Sequence, residues 1–219
     1  MTSGQPHVVD AMRSIKHPLT DTLRPEIEQA VRHVARERSR VVYVEGDLGT
    51  GKTILTTLLA MQMFWEVHCG AWRGMKMPSG VPVWAACRAP HRSAGEYWYD
   101  NVVKMLRELD PRSRGTDVGP HPCRVTTFRD THRMQGLRNV VCLVTEEGTM
   151  WSPEEFGQAA RHMNREYPSQ IVRVNPYLHQ AQWAGCKPGV YTIGDTTVIR
   201  LRLRPECHVA IWKEDHGSF

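Results

Sequence analysis

The chain has 219 residues, 41% of them hydrophobic and 23% charged, with a formal charge of +5 and Arg far outnumbering Lys. That length suits one domain, burying about 70% of its unfolded surface, and the basic balance is compatible with a polyanionic partner. No apolar run nears the roughly 20 residues of a membrane span, residues 1–18 lack the apolar middle of a secretory signal, and none of the six cysteines forms a CxxC pair that would hold zinc. Cys87 and Cys142 lie in apolar runs and read as reduced core residues, which favours an intracellular, cytoplasmic setting without a membrane partner.

In chain order, residues 1–20 read as an irregular lead-in. Residues 23–38 carry Ile27, Ala30, Val31 and Val34 on one helical stripe, and Pro25 suits a first helical turn. The run 41–44 reads as a buried strand, and an apolar helix is expected over 52–65. Residues 70–82 are rich in Gly and Pro and read as loop, with a short strand over 83–87 behind them. Ser93 and Glu96 match a capping box, followed by a stripe of Trp98, Val102, Met105, Leu106 and Leu109. Another loop is expected over 110–122, a strand over 125–128, and a strongly apolar strand over 140–145. Ser152-Pro153-Glu154-Glu155 reads as a helix start with Phe156, Ala159, Ala160 and Met163 on one face. A strand over 170–174 stops at Asn175-Pro176, and residues 190–212 read as a C-terminal extension of two or three short antiparallel strands. Strands alternate with helices, which predicts a single α/β domain over 1–219, doubly wound around a mostly parallel sheet.

The chemistry concentrates in Gly46-Asp47-Leu48-Gly49-Thr50-Gly51-Lys52-Thr53, which matches G-x-x-x-x-G-K-[ST]. The glycines let the backbone wrap a phosphate with its N–H groups, and the helix that follows adds partial positive charge. Lys52 is expected to reach the β- and γ-phosphates of ATP, and the Thr53 hydroxyl to bind Mg²⁺. Hydrolysis also needs an acid on a neighbouring strand. Thr145-Glu146-Glu147 closes the apolar run in that place, with no Asp where one is usual. Either Glu146 holds the metal and Glu147 is the base, or Thr145 takes the metal position and Glu146 is the base. Asn175, at the end of the 170–174 strand, is the candidate sensor of the γ-phosphate. Arg88, Arg129, Arg133, Arg138, Arg161 and Arg165 are the arginines near these elements; none stands out as a finger in cis, which points to one borrowed from a neighbouring subunit in a homo-oligomer or larger assembly.

Taken in order, these pieces resemble the ATPase domain of phage terminase large subunits, the motors that package DNA. The stretches that carry the resemblance are Leu23-Arg24-Pro25-Glu26-Ile27-Glu28-Gln29-Ala30-Val31, Val83-Trp84-Ala85-Ala86-Cys87-Arg88, Thr127-Phe128-Arg129-Asp130 through Gln135-Gly136-Leu137-Arg138-Asn139-Val140, Trp151-Ser152-Pro153-Glu154-Glu155 and Val174-Asn175-Pro176, spanning residues 23–178. The resemblance implies a RecA-like P-loop NTPase fold, ATP hydrolysis, Mg²⁺, and a nucleic-acid partner, double-stranded DNA. The chain departs from the family at Asp47, where many terminases have Arg, and in the missing acidic-strand Asp. Glu28-Gln29-Ala30-Val31 also looks like the entry motif of superfamily 1 helicases, so a helicase ATPase domain is the alternative, with a non-motor nucleotide switch behind it.

Overall fold

Val41-Val42-Tyr43-Val44 supplies the β-branched and aromatic residues that favour extended backbone, and Val41–Glu45 forms β1, with Val42 and Val44 buried. Around it a computed structural model describes residues 7–46, 49–69, 80–109, 117–118, 121–129, 134, 137–146, 154, 163, 169–174 and 188–201. The elements before β1 are α1 (Val8–Ser14), α2 (Leu19–Thr22) and α3 (Pro25–Glu37). After it come α4 (Lys52–His68), β2 (Val83–Arg88), α5 (Arg92–Leu109), β3 (Asp117–Val118), β4 (His121–Phe128), β5 (Val140–Thr145), β6 (Gln170–Val174), β7 (Gly189–Ile193) and β8 (Thr196–Arg200).

These strands form one sheet in the order β3-β4-β2-β5-β6-β1-β8-β7. The six strands from β4 to β8 in that order are mutually parallel, and β3 and β7 run antiparallel at the edges. Successive strand residues face opposite sides of the sheet, and β5, buried at all six positions, contributes to a core on each face. The larger core joins Val42, Val44, Cys87, Cys142, Val144, Val172 and Ile199 to α1, α3, α4 and α5; the smaller, on the opposite face, holds Ala86, Phe128, Met134, Val140, Leu143 and Met163. Among the described residues no helix is long and apolar enough to cross a membrane.

Four expectations from sequence change. Residues 8–14, read as irregular, form α1, with Val8, Val9 and Met12 fully buried. The helix is held from outside itself: the Val8 N–H donates to Gln62 of α4 at 2.9 Å. The capping box fails, because α5 starts at Arg92 and places Ser93 inside the helix, while the Glu96 carboxylate takes the Arg92 guanidinium at 2.6 Å. Met163, expected on a helical face, makes a parallel bridge to Val140 instead; the rest of that expected helix, apart from Glu154, lies outside the described residues. Of the C-terminal extension, residues 202–212 lie outside the described residues; β7 and β8 make the expected antiparallel hairpin, through a two-residue turn, but β8 also joins the main sheet by pairing in parallel with β1. Gly194, at φ 62°, supplies the positive first position that a type II′ turn requires.

Candidate nucleotide-binding site

In a parallel sheet the carboxyl ends of the strands open onto one edge, where ligands bind. Here that edge carries the end of β1 at Glu45, of β5 at Thr145, of β6 at Val174 and of β2 at Arg88. The chain leaves β1 through Gly46 and re-enters regular structure at Lys52, the first residue of α4. Of the eight residues of the glycine loop, Gly46, Gly49, Thr50, Gly51, Lys52 and Thr53 are described, and Asp47 and Leu48 lie outside the described residues.

Two glycines of the loop are closely approached by side chains, and one of them has left-handed backbone. Gly51 caps α4 at φ 92°, and a Cβ there would sit 2.7 Å from Ile27 Cδ1 of α3. A Cβ on Gly46 would sit 2.6 Å from the Thr50 hydroxyl oxygen. The first intrahelical bond of α4 runs from the Leu55 N–H to the Gly51 carbonyl at 3.0 Å, which leaves the N–H groups of residues 51–54 without helical acceptors. Lys52 Nζ donates to the Gly46 carbonyl at 2.6 Å, so the ammonium spans the loop from its end to its beginning. Thr53 is half-buried in the first turn of α4. This donor set, a ring of backbone N–H groups with a lysine across it and a hydroxyl beside it, fits a polyphosphate and its divalent cation.

An acid at the mouth of such a loop would repel phosphate, and Glu45 stands there. Its carboxylate lies 2.6 Å from Arg200 Nε of β8, a charge contact rather than a well-aligned hydrogen bond, and is thereby neutralised. The Leu201 N–H donates to the Glu45 carbonyl at 2.9 Å, which locks the same two strands beside the loop.

The acidic strand β5 stands two strands from β1, about 10 Å at the usual strand spacing, with β6 between them. Thr145 is 1% exposed, and its hydroxyl donates to the Val172 carbonyl of β6 at 3.4 Å. Glu146 follows at the strand's end, partly exposed, with its N–H donating to the Arg88 carbonyl at 2.9 Å. Its charge is felt by Cys87, whose thiol is pushed well above its ordinary value first by burial and then by Glu146. Burial alone raises Cys142 to about 12. Both cysteines are free and buried. Glu147 and Asn175 lie outside the described residues, although the strand that Asn175 follows, β6, is the immediate neighbour of β1.

A concavity of about 610 Å³ opens on the same edge, at the ends of β2 and β4 and the start of α5. His91, Arg92 and Arg129 are among its lining, with Glu96 paired to Arg92. Arg88 Nε donates to the Arg129 carbonyl at 2.9 Å and ties the two strand ends together. Arg138 is exposed, and Arg133, Arg161 and Arg165 lie outside the described residues. Arg24, which the sequence places in the stretch before the glycine loop without an individual role, donates from Nη1 to the Thr50 carbonyl in that loop at 2.8 Å.

No protein-family profile and no curated protein matches the chain. Among solved structures, the yeast DEAD-box splicing factor Prp28 superposes with a TM-score of 0.56 at 12% identity, covering 88% of this chain and 49% of that one. Dbp5 of S. cerevisiae, in a complex that holds ADP, follows at TM-score 0.49 and 14% identity, over 77% of this chain and 45% of that one. A large terminase ATPase domain of a Thermus phage gives TM-score 0.48 and 11% identity, over 85% of this chain and 84% of that one. The chain thus spans about half the length of the two yeast proteins. It has an α/β, RecA-like fold, and the Prp28 superposition carries that assignment.

Proposed function

We propose that the chain is a Mg-ATP-hydrolysing motor domain that acts on nucleic acid, of the type that packages viral DNA, working as a homo-oligomer or within a larger assembly. The observation that carries this reading is the arrangement of a glycine loop between β1 and α4 with an acid-ended strand two places along the same sheet edge.

The backbone N–H groups of residues 51–54 and the Lys52 ammonium bind and orient the phosphates of ATP. Thr53 and Glu146 would hold Mg²⁺, which would supply neutralisation of the phosphate charge when bound. Glu146 takes the metal role more readily than Thr145, whose buried hydroxyl already serves the β6 backbone. Glu147 then accepts the proton of the attacking water, and Asn175 senses the γ-phosphate from the end of the intervening strand. Arg200 keeps the Glu45 charge from opposing phosphate entry. The basic cleft at the ends of β2 and β4 takes the phosphodiester backbone of duplex DNA. The DNA-packaging part of the reading is supported by the order of the sequence motifs. A helicase ATPase domain is the second reading, supported by the fold shared with a DEAD-box protein.

The test is ATP turnover with and without duplex DNA at increasing salt. We expect stimulation by duplex that weakens steeply with salt, no turnover for Lys52→Ala, and binding without turnover for Glu147→Gln. Unwinding of a tailed duplex would move the assignment to the helicase. Indifference to every nucleic acid would leave a nucleotide switch, and full nucleotide affinity in Lys52→Ala would sink the site itself.

A further inference from the structure

We propose that Arg24 is a positioning residue of the nucleotide site, holding the glycine loop in its phosphate-binding form from outside. The inference rests on the P-loop reading above and deepens it.

The geometry begins with the local sequence. A residue before proline is confined to extended backbone, and Arg24, at φ −66° and ψ 134°, precedes Pro25 at the first position of α3. The Arg24 side chain makes no capping hydrogen bond to its own helix. It reaches 26 residues along the chain to the Thr50 carbonyl, at 2.8 Å from Nη1. Only 11% of the side chain is exposed, and Glu26 lies 3.6 Å from Nε.

The carbonyl that Arg24 holds belongs to the peptide joining Thr50 to Gly51. All described peptides are trans, and in a trans peptide the C=O and the following N–H point in opposite directions. Fixing the Thr50 carbonyl on the α3 side therefore turns the Gly51 N–H away from Arg24. Gly51 is the position whose left-handed backbone opens α4, so this one plane sets the first of the donors over residues 51–54. Ile27, one turn into α3, closes on the same spot from the apolar side. The α3 backbone is anchored in turn: Ile27, Ala30 and Val31 are buried, and Glu28 takes Arg13 of α1 at 2.8 Å. A hydrogen bond from a charged donor is worth enough to shift a binding equilibrium by about tenfold.

The experiment is titration of the full chain with a fluorescent ADP analogue and Mg²⁺, reading Kd and stoichiometry separately, for wild type, Lys52→Ala, Arg24→Ala and Arg24→Lys. Arg24→Ala should weaken binding about tenfold at unchanged stoichiometry, with Arg24→Lys between it and wild type. Damage to folding alone lowers the stoichiometry and leaves Kd untouched, and that outcome overturns the proposal. So does an Arg24→Ala Kd equal to wild type, or an Arg24→Lys Kd no better than that of Arg24→Ala. If Arg24→Ala does not fold, Arg24→Gln takes its place in the same comparison. Wild type and Lys52→Ala binding alike would overturn the P-loop reading, a result distinct from an Arg24 failure on a site that Lys52→Ala abolishes.

Discussion

Two helices meet at the glycine loop and are held by different physics. In α4 every residue from Leu55 to Phe64 is buried, so the helix is covered on all faces, polar Thr56, Thr57 and Gln62 included. In α3 the buried stripe is Ile27, Ala30, Val31, Val34 and Ala35, while Glu28 and Arg32 face outward into an ion-pair cluster with Asp10 and Arg13. Lys52 and Thr53 ride on the first, and Arg24 leads into the second. The candidate phosphate-binding residues thus sit on a helix held by apolar packing, and the residue behind them leads into one whose outer face is held by ion pairs.

The comparison is broken most forcefully inside α4. Phe64 is 1% exposed, and Phe64→Ala should cost about 3–5 kcal/mol, lowering Tm by several degrees in a calorimetric scan at any salt concentration. A loss near zero would mean that α4 is not the central pillar. Gly51→Ala strikes the joint between the helices. It forces φ 92° on an L-residue beside Ile27, which should cost about 1–3 kcal/mol and reduce ADP affinity. Ile27→Val, which removes the crowding Cδ1, should recover part of the loss, and no recovery would show that the backbone angle alone matters.

The smallest effect is a pH dependence on the α3 side. His7 caps α1 by accepting the Val9 N–H at Nδ1, at 3.2 Å. Burial, and then the Arg32 charge, lowers its pKa from 6.5 to about 4, against the opposing pull of Asp10 and Glu28. Between those values the unfolded chain binds a proton that the folded chain refuses, so stability is full above pH 6.5 and declines as pH falls toward 4. Asp10 and Glu28 have lowered pKa values, so their contributions are lost only as pH falls further. Denaturation midpoints at pH 7.5 and 5 should differ for wild type and converge in His7→Asn, which keeps a capping acceptor. Equal slopes in the two proteins would assign the dependence to other groups.

The glycine loop, the strand before it and the helix after it were legible because their signals are local: a fixed spacing, an apolar run, a continuous helical stretch. The same holds for β5 and β6, whose apolar cores sit where the sequence shows them. What escaped was non-local. Seven residues of α1 are too few to hold a helix by themselves, and Val8, Val9 and Met12 acquire meaning only against α4. Arg24 looks like any surface arginine until the fold brings Thr50 to it. Ser93 and Glu96 have the spacing of a capping box, yet His91 accepts the Gly95 N–H at 3.3 Å and the helix begins earlier. β8 gave the right element type, but its parallel seat beside β1 depends on a register that no periodicity records.

That seat governs the order in which the site can be assembled. β1 is flanked by β6 and β8, whose partners for Val41 are Ile171 and Thr196. Both pairings close loops of well over a hundred residues, which is slow and comes late in folding. The phosphate loop lies in the first quarter of the chain, but the strand that aims it stays bare-edged until residues near 200 join it. During synthesis the proposed nucleotide cradle is therefore finished only after β8 has emerged, and a chain cut before Thr196 should keep an intact motif on a β1 that has lost one wall.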